Sequence, residues 1–553
     1  MSTSVIKSSG GDYTSLSGWQ TGVSGSGNDE TASIQENYDA QSTNLTMSMT
    51  GHAYTITADA SHAVNAPTYA VGSARARWSA GVTFTGTSWT IEKVGLIGNG
   101  TTQPITCNCA SGVFAIRRCW GYTTSTYEIL IRCITAASQT VTISNLAISS
   151  DSSAGSGGAL RHNQASSTMT CYHVSGVSVG TLSVFVQANG TLNAYASVQQ
   201  GVGAFKGGTV GGDENVSQGT DAVGTTAWKS QTDVFTSTTA GSEDLSMAAG
   251  PYAVTDRSGT LSDLATDLKG TARVVLIDAG CDYIAPDSSA LTTSLNAYYR
   301  MDEASGNRSD SSGNGLTLTD NNTIASTTGH LGANCADFTA ANSEFGNHAD
   351  ASAYAFTTKL SINGWLYKDA NSANESICGQ WTYQTDGSWQ LMCDSAGALF
   401  IYLATTSNDA GNTSGKTGNT FFSTGSWHMF TVTYDGSVTG NASRLRLFLD
   451  GCEKEIATFN GTIPSSLLDS AGDFVVGEFA GLGRYWDSKM EHIGLWALQL
   501  SNAKIKALWN SGTGKDPTAG ASSIKTFQGL ARASVKTVGG LALASVKTWN
   551  GLA

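Results

Sequence analysis

VFAIRRCWGYTTSTYEILIRCITAASQTVTISNLAIS, residues 113–149, holds three apolar, β-branched runs separated by Thr, Ser, Ala and Gln, with neither a helical period nor an Asn-Gly or Asp-Gly hairpin signal between them. Similar runs flank it: WTIEKVGLIGNG at 89–100, TMTCYHVSGVSV at 168–179 and LSVFVQANGTLNAYASV at 182–198. Short strands at short intervals, with almost no helix and few hairpin dipeptides, read as a parallel β-solenoid, in which each rung lays its strands on the last and buries its inward residues. Two face-packed antiparallel sheets would give similar runs, so the pattern alone leaves a β-sandwich open.

The ends of this region narrow the choice. GGDYTSLSGW at 10–19 is similar to the opening of right-handed parallel β-helix proteins of viral and environmental sequences. LSDLATDLKGTARVVLIDAGCDY at 261–283 resembles the closing segment of such helices, a D-x-x-G-x-x-R stretch followed by D-I-G-A. Asp267, Gly270, Arg273, Asp278 and Gly280 are kept, while the last motif departs from the pattern and reads DAGC. The resemblance implies a right-handed parallel β-helix over residues 1–285.

After a polar linker, APDSSALTTSL, a second unit opens with LNAYYRMDEASGNRSDSSGNGLTL and closes with MEHIGLWALQLSNAKIKALWNSG; between them lie LSINGWLY, GSWHMFTVTYDG and LRLFLDGCEKE. These five phrases, in this order, resemble the laminin-G-like, concanavalin-like jelly-roll domains over residues 295–514. The fold so implied is two packed antiparallel sheets, and the chain as a whole is expected to be all-β.

The C-terminus repeats one phrase nearly three times over residues 523–553: IKTFQGLARAS, VKTVGGLALAS and VKTWNGLA. Recurrent Gly and β-branched residues argue against a helical supercoil, and a Lys in every copy interrupts any membrane span. Gln528-Gly529, Gly539-Gly540 and Asn550-Gly551 read as hairpin turns. A lone hairpin is marginal in water, so the tail is expected to pair with another chain, either symmetry mates in a homotrimer or a virion protein.

Composition excludes some partners. Charged residues are 13% of the 553, roughly half the usual share, the net charge is -13, and no basic cluster occurs, which argues against nucleic acid. No transmembrane span is apparent and the first residues lack the apolar core of a secretory signal, so assembly in a cytoplasm is expected. The ten cysteines include no CxxC pair and read as packed thiols rather than disulfides or zinc ligands.

Polysaccharide cleavage by the β-helix would need two carboxylates flanking a glycosidic bond. Between Glu92 and Asp213 the sequence offers only Glu128 and Asp151. No GxSxG or HExxH motif occurs, and His428 and His492 lie in jelly-roll strand phrases where packing is the simpler role. The chain is therefore expected to have no catalytic residues of its own, although a site shared between subunits stays open.

Two binding sites are expected in the jelly roll. Domains of this family often carry a structural Ca²⁺; DSSGNG offers Asp310 and Asn314, and the resemblance places an acidic closing ligand at Glu491. A metal-free Asx turn accounts for DSSGNG equally well. Sugar binding, also common in the family, uses aromatic faces: Trp381, Tyr383 and Trp389 in QWTYQTDGSWQ and Tyr485 and Trp486 in GLGRYWDS fall near predicted loops, with core packing as the alternative for each. The functional expectation is a virion structural protein, a phage fibre, spike or decoration protein with a jelly-roll head that binds a host surface glycan. A polysaccharide-degrading tailspike and a bacterial surface adhesin are the alternatives.

Overall fold

The computed structural model describes residues 2–519 with interruptions, the longest at 59–76, 124–130, 151–157, 224–234, 248–263 and 274–282, and beyond 519 four two-residue strands. One compact unit comprises Met1–Pro286 with Gly451–Glu455, the other Asp287–Asp450 with Ile456–Ala553.

The first unit is a β-solenoid. Its rungs pair in parallel, which sets aside the face-packed sandwich. Trp89, Phe114, Val141, Met169, Leu192 and Val210 lie in register on successive rungs, and two positions along, Ile91, Ile116, Ile143, Cys171 and Ala194 do the same. All are buried. Side chains two apart on a strand share a face, so these columns are the inward face of each rung.

The corner between this ladder and the next is made by one left-handed residue per rung: Lys93, Arg118, Asn145, His173, Ala196 and Glu214, with φ between 49° and 61°. A non-glycine residue there costs about 1–2 kcal/mol. All but the last of these N–H groups join rungs: Arg118 donates to Ser144 O (3.0 Å), Asn145 to Tyr172 O (3.1 Å) and His173 to Tyr195 O (3.1 Å), whereas Glu214 donates to Asp213 Oδ1 at 2.8 Å. The residue after each corner turns inward, giving a buried column of Val94, Cys119, Leu146 and Val174. The column ends in polar Ser197 and Asn215, which are satisfied: Ser197 N–H donates to Asn215 Oδ1 at 3.0 Å, and Asn215 Nδ2 donates to Ala194 O at 2.8 Å.

The opening phrase forms the helix Leu16–Val23, capped by Ser15, whose Oγ accepts the Gly18 N–H at 3.0 Å. Its Leu16, Trp19 and Val23 join the solenoid core with Ile6 and Ile34. In the closing phrase Asp267 and Arg273 are both buried. Arg273 Nη2 reaches the corner residue Asn145, at 3.1 Å from its Oδ1, while Gly270, Asp278 and Gly280 lie outside the described residues.

The second unit is a sandwich. In one sheet Ala325–Thr328, Asn334–Phe338, Ser488–Trp496, Lys359–Tyr367, Trp427–Asp435 and Leu445–Leu449 are antiparallel neighbours in that order, with Leu295–Tyr299 also paired to Ser488–Trp496. The other runs Thr319–Asn321, Phe345–His348, Phe474–Val476, Glu375–Thr382, Asp386–Cys393, Leu399–Leu403, Thr413–Thr417, Ile456–Asn460. Leu360, Ile362, Leu391, Phe430, Phe474 and Ile493 fill the space between them. Outside the first sheet, helix Asn502–Trp509 buries Ile505 and Leu508 against Trp365, Met429, Phe448 and Trp496.

In the tail, Thr526–Phe527 pairs antiparallel with Leu530–Ala531 and Thr537–Val538 with Leu541–Ala542, across positions 528–529 and 539–540. The third repeat lies outside the described residues. Nine cysteines are described, all buried and none in a disulfide. Burial pushes the Cys119 thiol up to about 12, so it packs as a small hydrophobe.

Candidate functional site

Strand Glu375–Thr382 runs into a turn closed by the Thr385 N–H on Thr382 O at 3.0 Å, with Gln384 left-handed at its tip. A second short hairpin pairs Glu478–Phe479 with Arg484–Tyr485 through Gly481 and Gly483, both at positive φ. The fold brings these two loops together: Tyr383 N–H donates to Ala480 O at 2.9 Å, and the Tyr383 and Phe479 rings meet edge-on at 6.0 Å. Beneath them Trp381, Met392, Phe400 and Phe479 make a separate buried cluster. Gly387 makes room for it, since a Cβ there would lie 2.3 Å from the Trp381 ring. Tyr383, 36% exposed, lies over this floor. Directly paired residues of an antiparallel hairpin share a face, so Arg484 stands on the Phe479 side, and Tyr485 on the other, toward Phe345 at 6.5 Å.

The five expected aromatic residues therefore separate. Tyr383 is available on the surface and Tyr485 is half-buried on the opposite face of its hairpin. Trp381 is floor rather than face. Trp389 and Trp486 are fully buried, Trp389 within a strand and Trp486 in the two-residue connection between Arg484–Tyr485 and Ser488–Trp496, so core packing, the alternative for each, describes both. Trp389 is an inward residue of strand Asp386–Cys393, with its ring 6.0 Å from Phe474. Lys368 Nζ lies 4.7 Å over the Trp486 ring and pairs with buried Glu375 at 2.9 Å, so that indole is shut off from any ligand.

The expected calcium ligands do not fit the ion. Asp310 is consumed by its own loop: Oδ1 accepts the N–H groups of Tyr298 (3.0 Å) and Ser312 (2.8 Å), and Oδ2 accepts Ser312 Oγ (2.8 Å) and Leu316 N–H (3.2 Å). These bonds hold its carboxyl below the usual range despite burial. Asn314 Nδ2 donates to Asn296 O at 2.8 Å. Glu491 faces a different segment, with Oε2 accepting His330 N–H at 3.0 Å and Oε1 accepting Leu331 N–H at 2.8 Å. Burial raises its carboxyl to about 7. DSSGNG is thus an Asx turn and Glu491 a tie to the 330–332 loop. Among the described residues no group of three His, Cys, Asp or Glu side chains is placed to hold a metal ion.

A cleft of about 220 Å³ lies elsewhere on the sandwich, lined by Asp337, Phe338, Thr339, Asp369, Ala370, Asp487 and Ser488. Burial, with Asp369, Glu344 and Asp487 nearby, raises the Asp337 carboxyl. Its lining offers no broad aromatic face for a sugar. The described histidines include a buried His492, whose Nδ1 meets the Tyr298 hydroxyl at 2.6 Å and which burial lowers to about 4. Glu128 and Asp151 lie outside the described residues.

Residues 340–506 match the laminin-G-type family of the concanavalin A-like lectin/glucanases superfamily. They form a concanavalin-like domain. No curated protein matches the chain in sequence. Among solved structures the chain is similar to the binding domain of Paraclostridial Mosquitocidal Protein 1, with TM-score 0.32 and 13% identity over 40% of this chain and 53% of that one. It is also similar to domain 4 of AbnA, a GH43 extracellular arabinanase from Geobacillus stearothermophilus, in complex with arabinotriose (TM-score 0.30, 16% identity, 40% of this chain and 98% of that one). Trypanosoma rangeli sialidase is a third (TM-score 0.31, 12% identity, 43% and 35%). The chain spans about half the length of the first toxin binding domains it matches.

Proposed function

We propose that the concanavalin-like domain binds a glycan at the Tyr383 face. The observation that carries this reading is the union of two loops, distant in sequence, that sets the exposed Tyr383 ring over the buried Trp381–Phe479 floor with Arg484 beside it. An aromatic face with adjoining polar groups suits the apolar face of a pyranose. Binding is favoured over glycosidic cleavage because the carboxylates flanking these loops are engaged. Asp386 Oδ2 accepts Ser470 Oγ at 3.0 Å and Ala471 N–H at 2.8 Å, and Glu478 accepts a hydrogen bond from Tyr485.

In this reading the solenoid is a stiff spacer, the concanavalin-like domain the recognition element and the repeat tail the attachment or trimerisation element of a virion fibre, spike or decoration protein. The serial order of the three parts supports it. Each site is weak, and multiple copies supply avidity. The test is a glycan array probed with the full chain displayed multivalently. Binding to a limited set of surface glycans is expected; a blank array overturns the proposal.

A further inference from the structure

The loop before strand Trp427–Asp435 and the turn after Leu445–Leu449 bring together four polar side chains that no motif announces. His428 Nδ1 lies 2.8 Å from Asp450 Oδ2, and His428 Nε2 lies 2.6 Å from Ser423 Oγ and 3.0 Å from Ser426 Oγ. The two serine oxygens are 3.0 Å apart. Asp450 is held firmly: its Oδ1 accepts the Met429 N–H at 2.9 Å and its own N–H donates to Met429 O at 2.7 Å. The loop is pinned as well, by Gly425 N–H on Lys368 O (2.8 Å) and Phe422 N–H on Gly397 O (3.2 Å).

The protonation pattern follows from the partners. A carboxylate can only accept, so Nδ1 carries a proton and donates to Asp450, and in the neutral imidazole Nε2 keeps the lone pair. That lone pair faces the Ser423 hydroxyl. Nucleophile, base and orienting carboxylate stand in the relation of a Ser-His-Asp triad, which is recognised by geometry and not by order along the chain. Ser423 is exposed while His428 and Asp450 are partly buried, their side chains 15% and 27% accessible. The backbone N–H groups of Ser423 and Thr424, on the exposed part of the loop, make no hydrogen bond among the described residues and are donors available to an oxyanion.

We infer that Ser423, His428 and Asp450 form a hydrolytic site for esters of short acyl groups. Ser423 Oγ adds to the ester carbonyl carbon as its proton passes to His428 Nε2. The tetrahedral intermediate collapses by breaking the bond to the alcohol oxygen, which takes the proton from Nε2 and leaves as the alcohol. Water then gives a proton to Nε2 and attacks the acyl-serine; the carboxylic acid departs and Ser423 regains its proton. Asp450 is a positioning residue that fixes the imidazole tautomer, and Ser426 steadies the Ser423 hydroxyl. A short acyl group is specified because the serine lies on an exposed loop, and the neighbouring Phe421 and Phe422 are buried. An O-acetyl group on a bound sugar is the natural form of such an ester here; that refinement rests on the glycan reading, whereas the ester chemistry does not.

The test uses the full chain, p-nitrophenyl acetate as substrate and a fluorophosphonate as label, with the labelled peptide mapped by mass spectrometry. The wild type is expected to turn over and to carry the label on Ser423. Ser423→Ala is expected to lower kcat/KM by about 100-fold or more, the usual worth of a general-base-assisted nucleophile. Because Ser423 is exposed, its loss leaves the fold intact. A wild type no faster than Ser423→Ala overturns the inference, as does a label on Ser426 or elsewhere. The substrate holds no sugar, so a blank glycan array and a failed esterase assay are separate outcomes.

Discussion

Replacing Glu491 by Gln should make the stability of the sandwich less sensitive to pH. Glu491 is fully buried, and burial, the largest influence on it, raises its carboxyl from 4.5 to about 7 against the N–H bonds of Leu331, His330 and Gly332, with Asp302 adding to the rise. Such a shift corresponds to about 3 kcal/mol between the protonated and ionised native forms. The sign follows from linkage. Between pH 4.5 and about 7 the native state holds a proton that the unfolded chain has lost, so the contribution is complete below 4.5 and disappears as pH rises through 7. Gln and protonated Glu share one deficit: each presents a donor to one of the two backbone N–H groups. Their difference therefore isolates the ionisation. Urea unfolding of wild type and Glu491→Gln, followed at several pH values by tryptophan fluorescence, should show the wild type losing about 3 kcal/mol relative to the variant between pH 4.5 and 8. A gap that stays constant, or that moves in the wild type's favour as pH rises, would mean that the N–H bonds outweigh burial.

Three further outcomes follow from named contacts. Gly387→Ala places a Cβ 2.3 Å from the Trp381 ring and should destabilise the domain by about 1–3 kcal/mol while weakening glycan binding through the displaced Tyr383 loop; an unchanged urea midpoint would contradict it. Added Ca²⁺ should leave the thermal midpoint of the chain unmoved, because the oxygens of Asp310 and Glu491 already accept protein N–H and O–H groups; a concentration-dependent rise in calorimetry would restore the calcium reading. Deleting residues 523–553 should leave circular dichroism of the remaining chain unchanged and abolish self-association or particle incorporation, and a truncated chain that assembles normally would dismiss the tail as the attachment element.

The fold was legible where one residue type had to recur at one place in every rung or strand. The inward columns through Trp89 and Ile91 are apolar on each rung, so the runs of 89–198 were legible as strands, while their parallel stacking was expected only from the resemblance of the two end phrases, since alternation alone suits a sandwich equally. The corners were not legible. Lys93, Arg118, Ala196 and Glu214 are ordinary residues forced to positive φ by rung stacking, and only Asn145 and His173 are of types that favour it. Among the site residues, local sequence placed Trp389 and Trp486 near loops, yet strand register turns Trp389 into the core, while Tyr383 stands in the turn beyond Thr382 and stays at the surface. The joining of the 383 and 480 segments, and the meeting of Ser423 and His428 with Asp450, depend on strand neighbours far apart in the chain. No short-range signal carries either.

The most direct test of glycan recognition is the array signal of Tyr383→Ala beside that of the wild type, both displayed multivalently and matched in circular dichroism. Tyr383 is at the surface, so its removal leaves the fold intact. The variant is expected to lose the bound glycans by about tenfold or more, the effect of about 1.4 kcal/mol per site before avidity multiplies it. A variant that binds the same glycans as strongly as the wild type would remove Tyr383 from the binding face.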